Sequence, residues 1–398
     1  MAVAILALVT LSGIAIGTYN LVRDDDPGVE AVFNPGPEQL PARPSVLARY
    51  IPPAARTARI PGPVVRLADR LSLEDKVAQL FIFSFEGQDV SSPVMGKLAR
   101  MNLGGLLLRK QNYQSFEQLR ALTDEMLAVA RRSRHVNPLF VVAQEGAEFS
   151  PFPDLPPEFA PADLQNPREA ATSARDTGDA LRDAGVTAIL APDIDVGPED
   201  GGAVGARAYS DDAQEVAAFA TAQVRGFREA GILAAAKHFP GLGSGSQPTA
   251  EGPSTVGFSL EELRERDLVP FRAAIRAGVP AILVGHGVYG VDDFVRPASL
   301  SPTITNDLLR GELGFNGAAI ADDLAAPAVT ATRRIPQSAV EAVSAGADMV
   351  ILSGLPSDQD AAYRAVLTAV RREVISERRL NEAVRRSLVV KRELGFIR

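Results

Sequence analysis

From Leu71 to the C-terminus, short apolar runs alternate with longer segments whose apolar residues recur every three or four positions. The short runs are Gln79–Phe85, Gly104–Arg109, Leu139–Gln144 and Val186–Asp195, then Gly231–Phe239, Val279–Gly287, Gly317–Asp323 and Ala347–Gly354. Near-continuous apolar runs of this length predict strands buried on both faces. The segments between them, such as SFEQLRALTDEMLAVARR and DAQEVAAFATAQVRGFREAG, carry the helical period. Gly185, Gly231, Gly278 and Gly346 stand just before the next strand, where a helix commonly ends in glycine. Eight strand–helix units in succession, with no separate block of strands, predict an α/β fold of the (β/α)8 barrel type. A doubly wound sheet is the alternative that the same pattern allows. The last helix falls within Ser376–Phe396.

The N-terminal pattern is different. Ala2–Val22 carries no charge and is mostly apolar, about long enough to cross a bilayer as a helix. Asp24–Pro63 then holds nine prolines and three consecutive aspartates, a composition that cannot pack a core. The expected organisation is a signal peptide or membrane anchor over 1–23, a Pro-rich linker over 24–63 and the barrel over 64–398. Arg23 argues weakly for the opposite topology, but the Pro-rich spacer favours export. The barrel is therefore expected outside the membrane, at the cell envelope, touching the bilayer only through the N-terminal segment.

Composition narrows the chemistry. The net charge of −8 argues against a nucleic-acid partner. With no cysteine, disulfides, thiolate metal sites and a cysteine nucleophile are excluded. The three histidines, His135, His238 and His286, are too few for a His-rich metal site. His135 lies in ARRSRHVNP and is expected at the surface. No metal or organic cofactor is implied.

In such barrels the chemistry sits where the strands run out. Candidate strand ends carry Gln144 and Glu145, Asp193 and Asp195, Lys237 and His238, His286, and Asp322 and Asp323. A ring of polar residues on one face predicts a pocket. Asp322 suits a nucleophile, a base or a metal ligand. A helix N-cap is the structural alternative, which Asp323 satisfies equally well. Lys237 and His238 can pair with carboxylates or hold a sugar hydroxyl, and a lysine can form a Schiff base. Glu145 can bind a ligand or cap the next segment. His286 either lines the pocket or is a satisfied strand-end histidine. Arg207, in VGARAYSDD, is a clamp for vicinal oxygens or a solvated loop residue.

The motifs LSLEDKVAQLFIFSFEG, LGGLLL, QEG, GARAYSDD, AAAKHFPGLG, ERDLVPFRAAIRAGVPAILVGH, PASLSPTITNDLLRGELGFNGAAIADDL and AVEAVSAGADMVIL occur in this order. Together they resemble glycoside hydrolase family 3, above all its single-domain β-N-acetylglucosaminidases. The resemblance implies a (β/α)8 barrel and a carbohydrate substrate containing N-acetylglucosamine, cleaved with retention. It implies that Asp322 is the nucleophile and that Lys237, His238 and Arg207 bind the sugar. His286 and Glu145 are further expected contacts. The chain also departs from the pattern. The family continues K-H-F-P-G-H-G and then D-S-H, whose histidine is the acid/base. Leu242, Pro248 and Ala250 occupy the corresponding positions here. The family's D-Q-E-G-G-R has Ala143 in place of its aspartate and Glu148 in place of its arginine. Glu251, one residue beyond the empty acid/base position, is the expected substitute acid. The alternative is a descendant that binds cell-wall glycans or a partner without cleaving them.

Overall fold

A computed structural model describes residues 60–198, 202–292 and 294–397. The expected membrane segment and most of the expected linker lie outside the described residues. Among the described residues no helix is long and apolar enough to cross a membrane. Helix Gly62–Arg70 opens just inside the stretch expected to be linker.

The eight apolar runs form eight parallel strands: β1 (Phe81–Ser84), β2 (Gly105–Leu107), β3 (Leu139–Val142), β4 (Ala188–Ile189), β5 (Leu233–Phe239), β6 (Ala281–Val284), β7 (Ala318–Ala321) and β8 (Met349–Leu352). Each pairs with its chain neighbours, and β1 pairs with β8, so the sheet closes into a barrel. This excludes the doubly wound alternative, which has two open edges. Alternation along the strands sends one set of side chains inward. Ile82, Val141, Ala188, Ala235, Leu283, Ile320 and Met349 belong to that interior cluster. Their neighbours in the chain pack outward against helices, as Phe81, Phe140 and Val350 do. Every strand is thus buried on both sides, which is why its sequence reads as continuously apolar.

Local chemistry sets the helix ends. Ser115, Asn166 and Asp212 accept backbone N–H bonds from the first turns of their helices. Gly231 and Gly278 end helices at φ 75° and 87°, a left-handed conformation that costs glycine little. The chain then turns at once into β5 and β6.

Strand four departs from expectation. Only Ala188 and Ile189 keep the ladder, because Pro192 has no N–H to donate. The segment returns to β5 two residues later. The Lys237 N–H donates to the Pro192 carbonyl, and the Ile194 N–H donates to the Lys237 carbonyl. The apolar pattern also missed a two-stranded parallel pair, Thr255–Val256 with Val288–Tyr289. It ties the loop after β5 to the loop after β6.

Candidate active site

The polar strand ends converge on the C-terminal face. Residues Asp193 and Asp195 stand two apart, so both project to the same side of an extended segment. Asp195 is fully buried. Its Oδ2 lies 2.7 Å from His238 Nδ1, and its Oδ1 accepts from the Leu242 N–H at 2.7 Å. Asp193 Oδ2 lies 3.7 Å from His238 Nδ1 and 3.6 Å from an Arg207 terminal nitrogen, near both but bonded to neither. Burial pulls the His238 pKa down, but Asp193 and Asp195 more than offset it and leave it raised. For Asp195 burial acts upward, and His238 with the Leu242 N–H brings it below the usual carboxylate range. His238 and Asp195 are therefore held as an imidazolium–carboxylate pair. Asp193 absorbs the strain of two close carboxylates: burial and Asp195 push it up to about 7.

Lys237 points its ammonium at Glu145, with Nζ to Oε1 at 2.6 Å and both groups buried. One of the three ammonium donors is used there, and two remain for a ligand. The Arg207 Nε donates to the Val204 carbonyl at 3.3 Å, and its guanidinium centre lies 5.7 Å from the centroid of the Phe149 ring. Burial alone would lower its pKa, but Asp193, Glu145, Asp195 and Asp322 hold it raised. That one side chain feels all four carboxylates places Arg207 among them.

Asp322 follows β7 and keeps some exposure to solvent. Its Oδ1 accepts from the Asp323 N–H at 2.8 Å, and its other oxygen has no partner among the described residues. Burial would raise its pKa, but His286, His238, the Asp323 N–H and Lys237 hold it lowered. An ionised carboxylate with one free oxygen, near the Lys237 ammonium and the His238 imidazolium, is suited to attack or to electrostatic stabilisation. Asp323 caps no helix either: its Oδ1 accepts from the Ala325 and Ser353 N–H groups, and the helix Pro327–Thr330 that follows has Ala326 at its N-cap with no side-chain bond.

Two expectations change. His286 was expected to touch substrate, but both of its ring nitrogens are engaged within the protein. Nε2 lies 2.9 Å from the Asp323 carbonyl, which can only accept, so Nε2 carries a proton. Nδ1 meets the Ser299 hydroxyl at 2.8 Å. His286 therefore fixes the Asp322–Asp323 turn from behind. His135, expected at the surface, is half-buried with Nδ1 3.0 Å from the Leu98 carbonyl.

The loop after β5 is where the expected acid was sought. Leu242 is buried, and its N–H is the group that Asp195 binds. The Thr249 carbonyl accepts from the Ala328 N–H, which anchors the loop beside the segment that follows Asp322. Glu251 is exposed in a turn and makes no side-chain bond to Asp322, His238 or Lys237. The structure brings Glu145, Arg207, Lys237, His238 and Asp322 together, and leaves Glu251 exposed and unbonded to them. Sequence reasoning marked Asp193 and Asp195 as strand-end residues but gave them no role; the i, i+2 spacing was the available signal.

Residues 72–390 match the family model described as the glycosyl hydrolase family 3 N terminal domain. A β-hexosaminidase from Stenotrophomonas maltophilia (strain K279a) is 32% identical over 327 residues, spanning 80% of this chain and 93% of that protein. A β-hexosaminidase from Alkalilimnicola ehrlichii is 33% identical over 71% of this chain and 83% of its own length. Among solved structures, a family 3 β-N-acetylglucosaminidase from Paenibacillus superposes with a TM-score of 0.79 at 32% identity. That alignment covers 82% of this chain but only 63% of the longer Paenibacillus chain. A β-N-acetylhexosaminidase from Beutenbergia cavernae matches over 81% of this chain and 98% of its own, with a TM-score of 0.74 and 27% identity. The chain belongs to glycosyl hydrolase family 3, and within it falls with the β-hexosaminidases.

Proposed function

We propose that the protein is a retaining glycosidase that removes β-linked N-acetylhexosamine from cell-wall-type glycans, with Asp322 as nucleophile. The observation that carries this is the Asp322 carboxylate: ionised, partly open, with one oxygen uncommitted beside Lys237, His238 and Arg207. In the retaining route that oxygen attacks the anomeric carbon, the aglycone leaves, and water later hydrolyses the glycosyl ester. Lys237 and Arg207 hold sugar hydroxyls with their remaining donors, and His238 is kept charged by Asp195 for the same task. The named activities of the relatives support N-acetylhexosamine as the sugar. The apolar segment Ala2–Val22 supports a place at the cell envelope.

Leaving-group protonation is the step with the least chemistry behind it. Between Gly241 and Ala250 the loop holds no ionisable side chain, so Glu251 is its nearest acid. An acid/base group is typically worth about 10²- to 10⁴-fold in rate. The same emptiness favours a second reading, a glycan-binding protein that does not turn over. An aryl β-N-acetylglucosaminide with a good leaving group separates the two, because its departure needs no acid. Turnover lost in Asp322→Asn supports the glycosidase. Glycan binding with no turnover of this substrate supports the binding protein. If Glu251→Gln leaves cleavage of an unactivated glycan intact, Glu251 is not the acid.

A further inference from the structure

A small cavity lies outward of the sugar-binding strand ends, between β3, β4 and the helices Pro167–Asp183 and Ala213–Ala230. Glu145, Thr177, Asp193, Tyr209 and Gln223 are among its lining residues. It offers about 20 Å³ to the centre of a water-sized molecule. A buried water needs roughly 10–15 Å³ by that measure. Four buried polar atoms in this lining have no hydrogen-bond partner among the described residues: Glu145 Oε2, Thr177 Oγ1, Asp193 Oδ2 and the Tyr209 hydroxyl. The four residues are 9%, 1%, 1% and 5% exposed. Unpaired polar atoms at such depth are costly and few in native proteins. Burial raises the Tyr209 pKa, and the nearby Asp193 and Glu145 raise it further against the opposing Gln223 amide, which can donate to the hydroxyl oxygen and leave its proton free.

The donor count is balanced. When ionised, the two carboxylates can only accept, and the two hydroxyls can each donate. One water offers two protons and two lone pairs, and so completes all four. Glu145 pairs with Lys237, and Asp193 lies 3.6 Å from Arg207 and 3.7 Å from His238, so both carboxylates adjoin the sugar-binding cations. We propose that Glu145, Thr177, Asp193 and Tyr209 bind one internal water, which makes Thr177 and Tyr209 positioning residues for Lys237 and Arg207. The water stands on the cavity alone; its effect on sugar binding rests on the function proposed above.

The sign of the pH effect follows from the groups around Asp193. Asp195 and Glu145 are anionic neighbours, Lys237, His238 and Arg207 cationic ones, and Tyr209 is neutral. The water donates to the ionised carboxylates and so favours their charged forms. Removing the hydroxyls that hold it lets Asp193 take its proton at higher pH. The acid limb of sugar binding then moves toward alkaline pH.

The test uses Thr177→Val with Tyr209→Phe, and Thr177→Ser as the conservative control. The expected result is N-acetylglucosamine binding about 3- to 10-fold weaker. The acid limb of the binding profile moves up, the melting temperature stays near that of the parent, and Thr177→Ser restores binding. A high-resolution crystal structure of the parent protein is expected to hold one four-bonded water in the cavity. An unmoved acid limb in a folded double variant overturns the positioning role. A dry cavity, or binding that depends on Na⁺ or K⁺ at constant ionic strength, overturns the water. If the water is present but no N-acetylhexosamine binds the parent protein, the proposed function fails and the water stands.

Discussion

Replacing Asp195 by asparagine isolates the imidazolium–carboxylate pair at the floor of the site. Asparagine keeps one acceptor oxygen for the Leu242 and His238 backbone N–H groups, which Asp195 Oδ1 holds at 2.7 and 3.3 Å. The amide nitrogen then faces His238 Nδ1, 2.7 Å away in the parent. Two donors cannot share that contact, so His238 gives up its proton there and keeps the one on Nε2. A bond to a charged group contributes about 1.5–3 kcal/mol and a neutral one about 1 kcal/mol, so the exchange costs about 0.5–2 kcal/mol. The window follows from the two shifts. The raised His238 pKa gives stability that is full below the ordinary value near 6.5 and is lost as pH rises through the folded value. The lowered Asp195 pKa gives stability present above its ordinary value near 3.8 and lost as pH falls below it. The penalty of Asp195→Asn should therefore be largest between these limits and shrink on the alkaline side of the His238 titration. With only three histidines in the chain, their ring signals can be followed one by one by NMR. His238 should titrate at lower pH in the variant. Urea unfolding at pH 6 should show the full loss. An unchanged His238 titration, or a loss that is the same at every pH, refutes the pairing.

Two further outcomes test the scaffold. Lys391 is 0% exposed, its ammonium donates to Gln79 Oε1 at 2.7 Å, and burial lowers its pKa to about 7. The drop from 10.5 corresponds to on the order of 5 kcal/mol against the ammonium. That stability is present above pH 10.5 and is lost as pH falls to about 7, so Lys391→Met should stabilise most at pH 6 and gain little at pH 10. Urea unfolding at the two pH values checks this, and equal gains at both contradict it. Gly146 has φ 102°, and a Cβ there would collide with the Phe159 carbonyl. Gly146→Ala should cost at least about 2 kcal/mol and weaken sugar binding through its neighbour Glu145. An unchanged melting temperature contradicts the collision.

The barrel was legible because each strand is buried on both faces, and double burial leaves a continuous apolar run. The strand-end residues were legible because polar groups interrupt those runs at one end only. Partners across strands were not. His238 and Asp195 meet at a separation of 43 positions, and no local pattern encodes that contact. The dual engagement of His286 was invisible for the same reason, since Ser299, in the 3₁₀ turn Ala298–Leu300, and Asp323 come from separate segments. Lys391 deceived the pattern in the other direction. It holds a core position on helix Glu377–Glu393, where a charged residue reads as surface. Pro192 was visible in the run Val186–Asp195 but was read as part of the strand, whereas its missing N–H ends the ladder there.

The central claim is that Asp322 forms a covalent bond to the sugar. Incubation with a 2-acetamido glycosyl donor bearing an activated leaving group, followed by rapid acid quench and intact-mass analysis, reads that bond directly. The account predicts a mass increase of one N-acetylhexosaminyl unit, localised by peptide mapping to the peptide containing Asp322 and absent in Asp322→Asn. Turnover of the donor with no adduct, or an adduct that persists in Asp322→Asn, contradicts it.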